Sequence, residues 1–171
     1  THVMTQAAAE VASAMASSRR LAVRKVDVRH PDLDHVIQSG VLTAAGDLVS
    51  FSHHVLFDHV AGRYHLAWND TDRLIAQLEG DTSAALLLAP ALRFAVERIW
   101  RVDPDARSNS WRLVCGIFSA TKVDAVLGNV ALRIVSENVG EVKDLAVLLA
   151  RIGTEPDDPA IVSLLGRLSR F

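Results

Sequence analysis

One cysteine, Cys115, is all that this chain of 171 residues contains, so it has no intrachain disulfide and no zinc site built on paired cysteines. Cys115 stands in the apolar run "WRLVCGIF", poor surroundings for a thiolate nucleophile, and no serine occupies a G-x-S-x-G elbow. Aromatic residues make up only 5% of the chain while half of it is hydrophobic, so the core must be mainly aliphatic. An excess of charge of one sign is also missing. A formal net charge of −2 draws the chain neither to nucleic acid nor to an anionic membrane, and such contact would need a local patch. The longest apolar run, "SAALLLAPAL", falls short of the ~20 residues a spanning helix needs and contains Pro90, so no membrane contact is expected. The first residues lack the basic end of a secretory leader, and a reducing cytoplasm is the expected location. "THVM" looks like an arbitrary cut and "LLGRLSRF" closes on an apolar helix, which makes the chain an expected piece of a longer protein.

Helical patterning dominates what is present. Thr5 can cap a helix whose apolar positions Ala8, Val11, Ala12 and Met15 recur at helical spacing, with "SSRR" at its end. "LAVRKVDV" is too short for its periodicity to decide and is taken as a connection. In "HPDLDHVIQSG", Pro31 suits the first helical position, Leu33, Val36 and Ile37 form a stripe, and Gly40 supplies a left-handed stop. "VLTAAGDLVSFS" reads as a hairpin, with Val41 and Leu42 before "AAGD" and Leu48, Val49 and Phe51 after it. A helix follows, with Ser52 as N-cap, His53 and His54 in its first turn, and Val55, Leu56, His59, Val60, Tyr64 and Leu66 or Ala67 on one side.

This order of helix, short helix, hairpin and helix is that of a winged helix, expected over residues 5–68. Beyond Asn69 the pattern becomes a succession of helices with capping residues and glycines between them: "DTDRLIAQLEG", "PALRFAVERIWRVD", "SNSWRLVCGIFSA", "KVDAVLGNVALRIVSENVG", "EVKDLAVLLARIG" and "DPAIVSLLGRLSR". The expected fold is therefore mainly α: a winged helix with a short β-hairpin, then an α-solenoid-like (HEAT-like) array over residues 70–171, with a plain helical bundle as the alternative.

The stretch Leu48–Leu66 holds four of the chain's seven histidines. His54 and Asp58 lie four apart on one helix face beside His59, and imidazole and carboxylate are competent metal ligands. No H-E-x-x-H is present, no second acidic cluster follows, and no metal is expected. A histidine in the first turn of a helix stands beside unpaired N–H groups that favour an anion such as a nucleotide phosphate, and His53 is so placed.

"FSHHVLFDHVAGR" resembles the F-x-H-x-x-[FL]-x-[DE]-[FY] segment of the winged helix in STAND-type signalling ATPases, the group of NACHT and NB-ARC regulators. Phe51, His53, Leu56 and Asp58 carry the match, with Ala61 at a small position, and "LDHVIQSGVLTAAGDLVSFSH" resembles the run that precedes it in bacterial members. His59 departs from the pattern, where an aromatic is usual. The resemblance implies that His53 contacts the β-phosphate of ADP held by a nucleotide-binding domain of the same protein, with His54 and Asp58 as secondary polar contacts. It also implies ADP or ATP with magnesium in the full-length protein, a helical array that receives a protein or small-molecule ligand, and a role in bacterial defence or transcriptional signalling. No G-x-x-x-x-G-K-[ST] loop occurs in this chain, which is expected to hold no catalytic residue and no cofactor of its own.

Two other classes compete. A DNA-reading winged helix needs basic and amide side chains on its recognition helix, but "PDLDHVIQSG" carries two aspartates and no lysine or arginine, so nucleic acid is disfavoured. The basic cluster Arg19, Arg20, Arg24, Lys25 and Arg29 is the one patch suited to phosphates. A protein-interaction scaffold would use Trp68, Trp100 and Trp111 if they are exposed, although tryptophans among Leu, Val and Ile usually belong to a core. Gly116 and Gly128, inside helical runs, are read as close helix contacts or breaks.

Overall fold

The computed structural model describes residues 2–80, 85–102 and 107–170. Thr1, the Ser83 and Ala84 start of the apolar run, Asp103 at the end of the segment opened by Pro90, and Phe171 lie outside the described residues. The described chain is mainly helical with a three-stranded antiparallel sheet, and it divides into two compact units, Thr1–Leu66 and Ala67–Phe171. No helix among the described residues is long and apolar enough to cross a membrane.

In the first unit, α1 (His2–Ser18) begins ahead of Thr5, which is an interior residue and not the expected cap, because nothing between His2 and Thr5 breaks a helix. Its face Ala8, Val11, Ala12 and Met15 is buried. Arg19 ends it in the left-handed region at φ 56°, with Arg19 N–H on the Ala16 carbonyl and Arg20 N–H on that of Met15. "LAVRKVDV" is more than a connection: Val23–Arg24 form β1, an edge strand. Its partner lies some two dozen residues on, so no local period could reveal it; Val23 faces Val49, and Lys25 N–H reaches Asp47 O at 2.8 Å. Pro31 sits in a turn before α2 (Leu33–Gln38), not at its first position, which places Asp32 at the cap; Leu33 and Val36 are buried and Gly40 stops the chain at φ +80°.

The hairpin joins β2 (Leu42–Ala45) to β3 (Leu48–Phe51), in the sheet order β1-β3-β2. Ala44 and Ala45 pair with Val49 and Leu48, so the turn is only Gly46–Asp47, tighter than the expected "AAGD". Gly46, at φ +61°, takes the first central position of a type II′-like turn, where a side chain is disfavoured. Strand alternation turns Val49 and Phe51 inward and leaves Leu48 exposed.

Ser52 does not cap α3 (His54–Val60): its N–H and hydroxyl both reach the Val41 carbonyl at 3.1 Å, so the side chain serves the hairpin, and His53 occupies the N-cap. The expected apolar stripe is also displaced. Phe57, Ala61 and Leu66 are buried, whereas Val55 and Tyr64 are 65% and 45% exposed. Apolar residues surround this helix, and its orientation follows Phe57, whose ring meets Phe51 edge to face at 5.9 Å. A π-helical turn, Ala61–His65, continues it.

The second unit contains no strand among its described residues and runs α4 (Thr71–Gly80), α5 (Ala85–Val102), α6 (Ser108–Ser119), α7 (Ala125–Asn138), α8 (Ala146–Thr154) and α9 (Pro159–Leu168). Asp70, Asp124 and Asp158 cap α4, α7 and α9 by accepting N–H bonds from Arg73, Val126 and Ala160. Pro90 does not open α5 but lies inside it; the lost hydrogen bond is offset by the buried face of Leu88, Ala91, Leu92, Ala95 and Val96. Gly116 and Gly128 are points of close approach: a Cβ at Gly116 would overlap Ile75 Cδ1, and one at Gly128 would meet Ile117 and Phe118. Asp144 is a buried hub before α8. It accepts from Gly140 N–H, Glu141 N–H and Arg107 Nε, while its backbone carbonyl accepts from Trp111 Nε1.

Candidate functional site

His53 stands between the last residue of β3, Phe51, and the first residue of α3, His54, with only Ser52 intervening. Its backbone is extended, at φ −138° and ψ 139°, and its carbonyl accepts the first helical bonds from Leu56 N–H at 3.0 Å and Phe57 N–H at 3.4 Å. The imidazole makes no capping bond to the helix, and the residue is exposed. The Phe51–Phe57 ring pair packs at the same strand-to-helix junction and fixes where the chain enters α3.

His54 is exposed and begins the helix; Asp58, one turn on, is half-buried. Burial pushes the Asp58 carboxyl above its usual range, and neighbouring His54 acts in the opposite direction. His59 is exposed and Ala61 fully buried. Among the described residues no three His, Cys, Asp or Glu side chains come together in a way that could hold a metal ion. Cys115 is 2% exposed, and burial raises its thiol, with Arg151 acting against that shift.

The remaining candidates disperse. Of the basic cluster, Arg24 is held by Asp27 through two bonds of 3.1 and 3.2 Å, and Arg19, Arg20 and Arg29 are exposed around the end of α1 and the turn after β1. Trp100 and Trp111 belong to the core, at 5% and 1% exposure. Trp68 is half-buried, with the Arg98 guanidinium 3.9 Å from its ring centroid.

Trp68 also lines a cleft of about 360 Å³ within the second unit, together with Asn69, Thr71, Ile99, Val102 and Asn109. Sequence reading singled out Trp68 alone. The uncharged polar neighbours in "WND" and "SNS" carried a signal only in hindsight, because 40 positions separate Asn69 from Asn109. In comparisons with known proteins, the chain matches no family model, no curated protein and no solved structure.

Proposed function

We propose that this chain is the regulatory segment of a STAND-type signalling ATPase, with a winged helix in its first unit and a ligand- or protein-recognising helical array in its second. The reading rests on the local match at Phe51, His53, Leu56 and Asp58 and on one observation that favours it: His53 is exposed and held at the N-cap of α3 directly after the hairpin. An imidazole N–H there can donate to a phosphate oxygen, and the N–H groups of His54 and Val55 precede the first helical bonds of α3, which begin at Leu56. His54 and Asp58 would stand at the margin of that contact, Asp58 more weakly because a carboxylate repels a phosphate.

The mechanism is a shift of populations. ADP on the neighbouring nucleotide-binding domain is gripped through His53 in a closed state, and a ligand that binds the helical unit better in an open state draws the protein towards it. Chemistry on ATP and its magnesium belongs to that other domain.

The test is His53→Ala in the protein that carries this chain with its nucleotide-binding domain. Loss of a hydrogen bond to a charged phosphate should weaken ADP retention by about tenfold to a hundredfold in equilibrium dialysis. Unchanged retention would remove the assigned role. A P-loop encoded upstream in the same reading frame would support the reading.

A further inference from the structure

We propose that the open edge of β1, with the cleft beside it, binds an extended acidic peptide as an added strand. The site lies within the first unit and uses neither His53 nor α3, so the proposal stands apart from the role given to that residue. In the sheet order β1-β3-β2, β1 has a neighbouring strand on one side only. Lys25 N–H donates to Asp47 O, so by strand alternation the N–H and C=O of Arg24 point away from β3, to the open side. A strand laid along that side would take up both groups.

Charge selects the occupant. Residues 19–29 hold five basic side chains and one acid, in a chain whose net charge is −2. Arg24 and Lys25 at the edge deter a second copy of β1, which would set like charges against each other, and they attract a strand of opposite sign. A cleft of about 310 Å³ adjoins Val23 and Arg24, and its described lining joins the exposed Arg20 and Ser17 to apolar Ala14, Ala22 and Leu48. Arg24 and Asp27 also line it but hold each other through two bonds of 3.1 and 3.2 Å. The Arg20 guanidinium, by contrast, makes no hydrogen bond or ion pair among the described residues, and its field is the weakest of the influences that lower the Asp27 carboxyl. Arg20 is therefore left to a ligand carboxylate, to which the Ser17 hydroxyl, also without a hydrogen-bond partner among the described residues, can donate as well. The apolar share of the lining favours a peptide of alternating acidic and apolar residues over a run of acids. The left-handed turn at Arg19 and the bond from Arg20 N–H to the Met15 carbonyl fix the backbone from which Arg20 projects, so binding has little beyond that side chain to order.

The experiment titrates the whole isotope-labelled chain, by nitrogen-edited proton NMR and by fluorescence anisotropy, with a short capped peptide alternating valine and glutamate. Saturable shifts are expected at the Arg24 amide and the Arg20 Nε–H, with affinity falling as salt is raised. The same peptide with lysine in place of glutamate should bind about tenfold more weakly. N-methylation of the acidic peptide at one alternate set of residues, which removes main-chain donors, should also cost about tenfold, and the other set should cost less. Arg20→Glu should weaken the acidic peptide by about tenfold and strengthen the lysine peptide, with the circular dichroism spectrum unchanged. Ser17→Glu, at another exposed position, is the second variant should the first lose its fold, and it should act in the same direction. Absence of saturable binding, equal binding of the lysine peptide, indifference to N-methylation or to the variants, shifts centred on residues 43–45 of the other edge, or preference for a duplex DNA oligonucleotide would overturn the assignment.

Discussion

Among the described residues, those buried in the first unit, Val11, Met15, Leu42, Val49 and Phe57 among them, include no polar or charged one, whereas the second unit buries Thr71, Ser110 and Asp144. The first unit takes its order from short-range geometry: a left-handed Arg19, a two-residue turn at Gly46, and one aromatic pair at the β3–α3 junction. The second unit consists of helices that could slide along one another, and the Asp144 hub removes that freedom by tying the approach to α8 to Arg107 and Trp111. A buried charge costs stability unless its hydrogen bonds are made, and both carboxylate oxygens of Asp144 have partners.

Replacing the hub therefore has the largest expected effect. Asp144→Ala leaves the N–H groups of Gly140 and Glu141 and the Arg107 guanidinium without their acceptor, and its denaturation midpoint should fall below that of any other single variant considered. The backbone amides of Gly140 and Glu141, with Arg107, hold the Asp144 carboxyl below its usual range, although burial pulls the other way. A carboxyl whose native pKa is depressed contributes stability above its unfolded value, about 4, and loses it as pH falls through the native value. Acid titration followed by circular dichroism should show that loss below about pH 4, and Asp144→Asn should flatten it. A wild-type acid limb unchanged by the Asn substitution would mean that the hub is only a packing feature.

The matching test in the first unit removes no charge. Phe57 is 2% exposed, and Phe57→Ala leaves a cavity beside Phe51 that should cost about 3–5 kcal/mol in chemical denaturation. Unlike the Asp144 variants, it should change stability equally at pH 7 and pH 5, since no titrating group is lost with it. If the deficit shrank at the higher pH, the half-buried Asp58 next to it in sequence, whose carboxyl burial raises, would be coupled to the same packing, and the contrast between the two units would weaken.

Much of this arrangement was legible because its causes are local. Asp124 and Asp158 announce helix starts, Pro159 suits a first helical position, and Gly40 and Gly46 mark left-handed turns, all through bonds or dihedrals within a few residues. What escaped depends on distant partners. Val23 is a strand residue only because Val49 lies opposite, and Ser52 lost its capping role to a carbonyl eleven residues away. The face of α3 was chosen by Phe51, since Val55, Leu56, Phe57 and Val60 give no single stripe. Of the candidate site, the position of His53 after a hairpin was readable, its place as the N-cap itself was not, and the cleft around Trp68 requires α4, α5 and α6 to be assembled before its lining exists.

The smallest expected effect probes how closely the helices of the second unit approach. Gly116 in α6 faces Ile75 of α4, and the overlap of an added Cβ falls on Cδ1, the movable tip of a half-buried side chain. Two terms then oppose each other in Gly116→Ala: overpacking costs about 1–3 kcal/mol, and the gain in helix propensity returns about 1 kcal/mol. A net loss near 1 kcal/mol is expected. Gly153 in α8 has no atom within 4 Å of the same added Cβ, so Gly153→Ala should retain only the gain and stabilise the chain. In an Ile75→Ala background the clash at Gly116 disappears, and Gly116→Ala should change sign to match Gly153→Ala. A double-mutant cycle measures this directly: coupling of about 1 kcal/mol or more places the α4–α6 contact at that glycine, and additive effects would mean that the helices part to admit the methyl group.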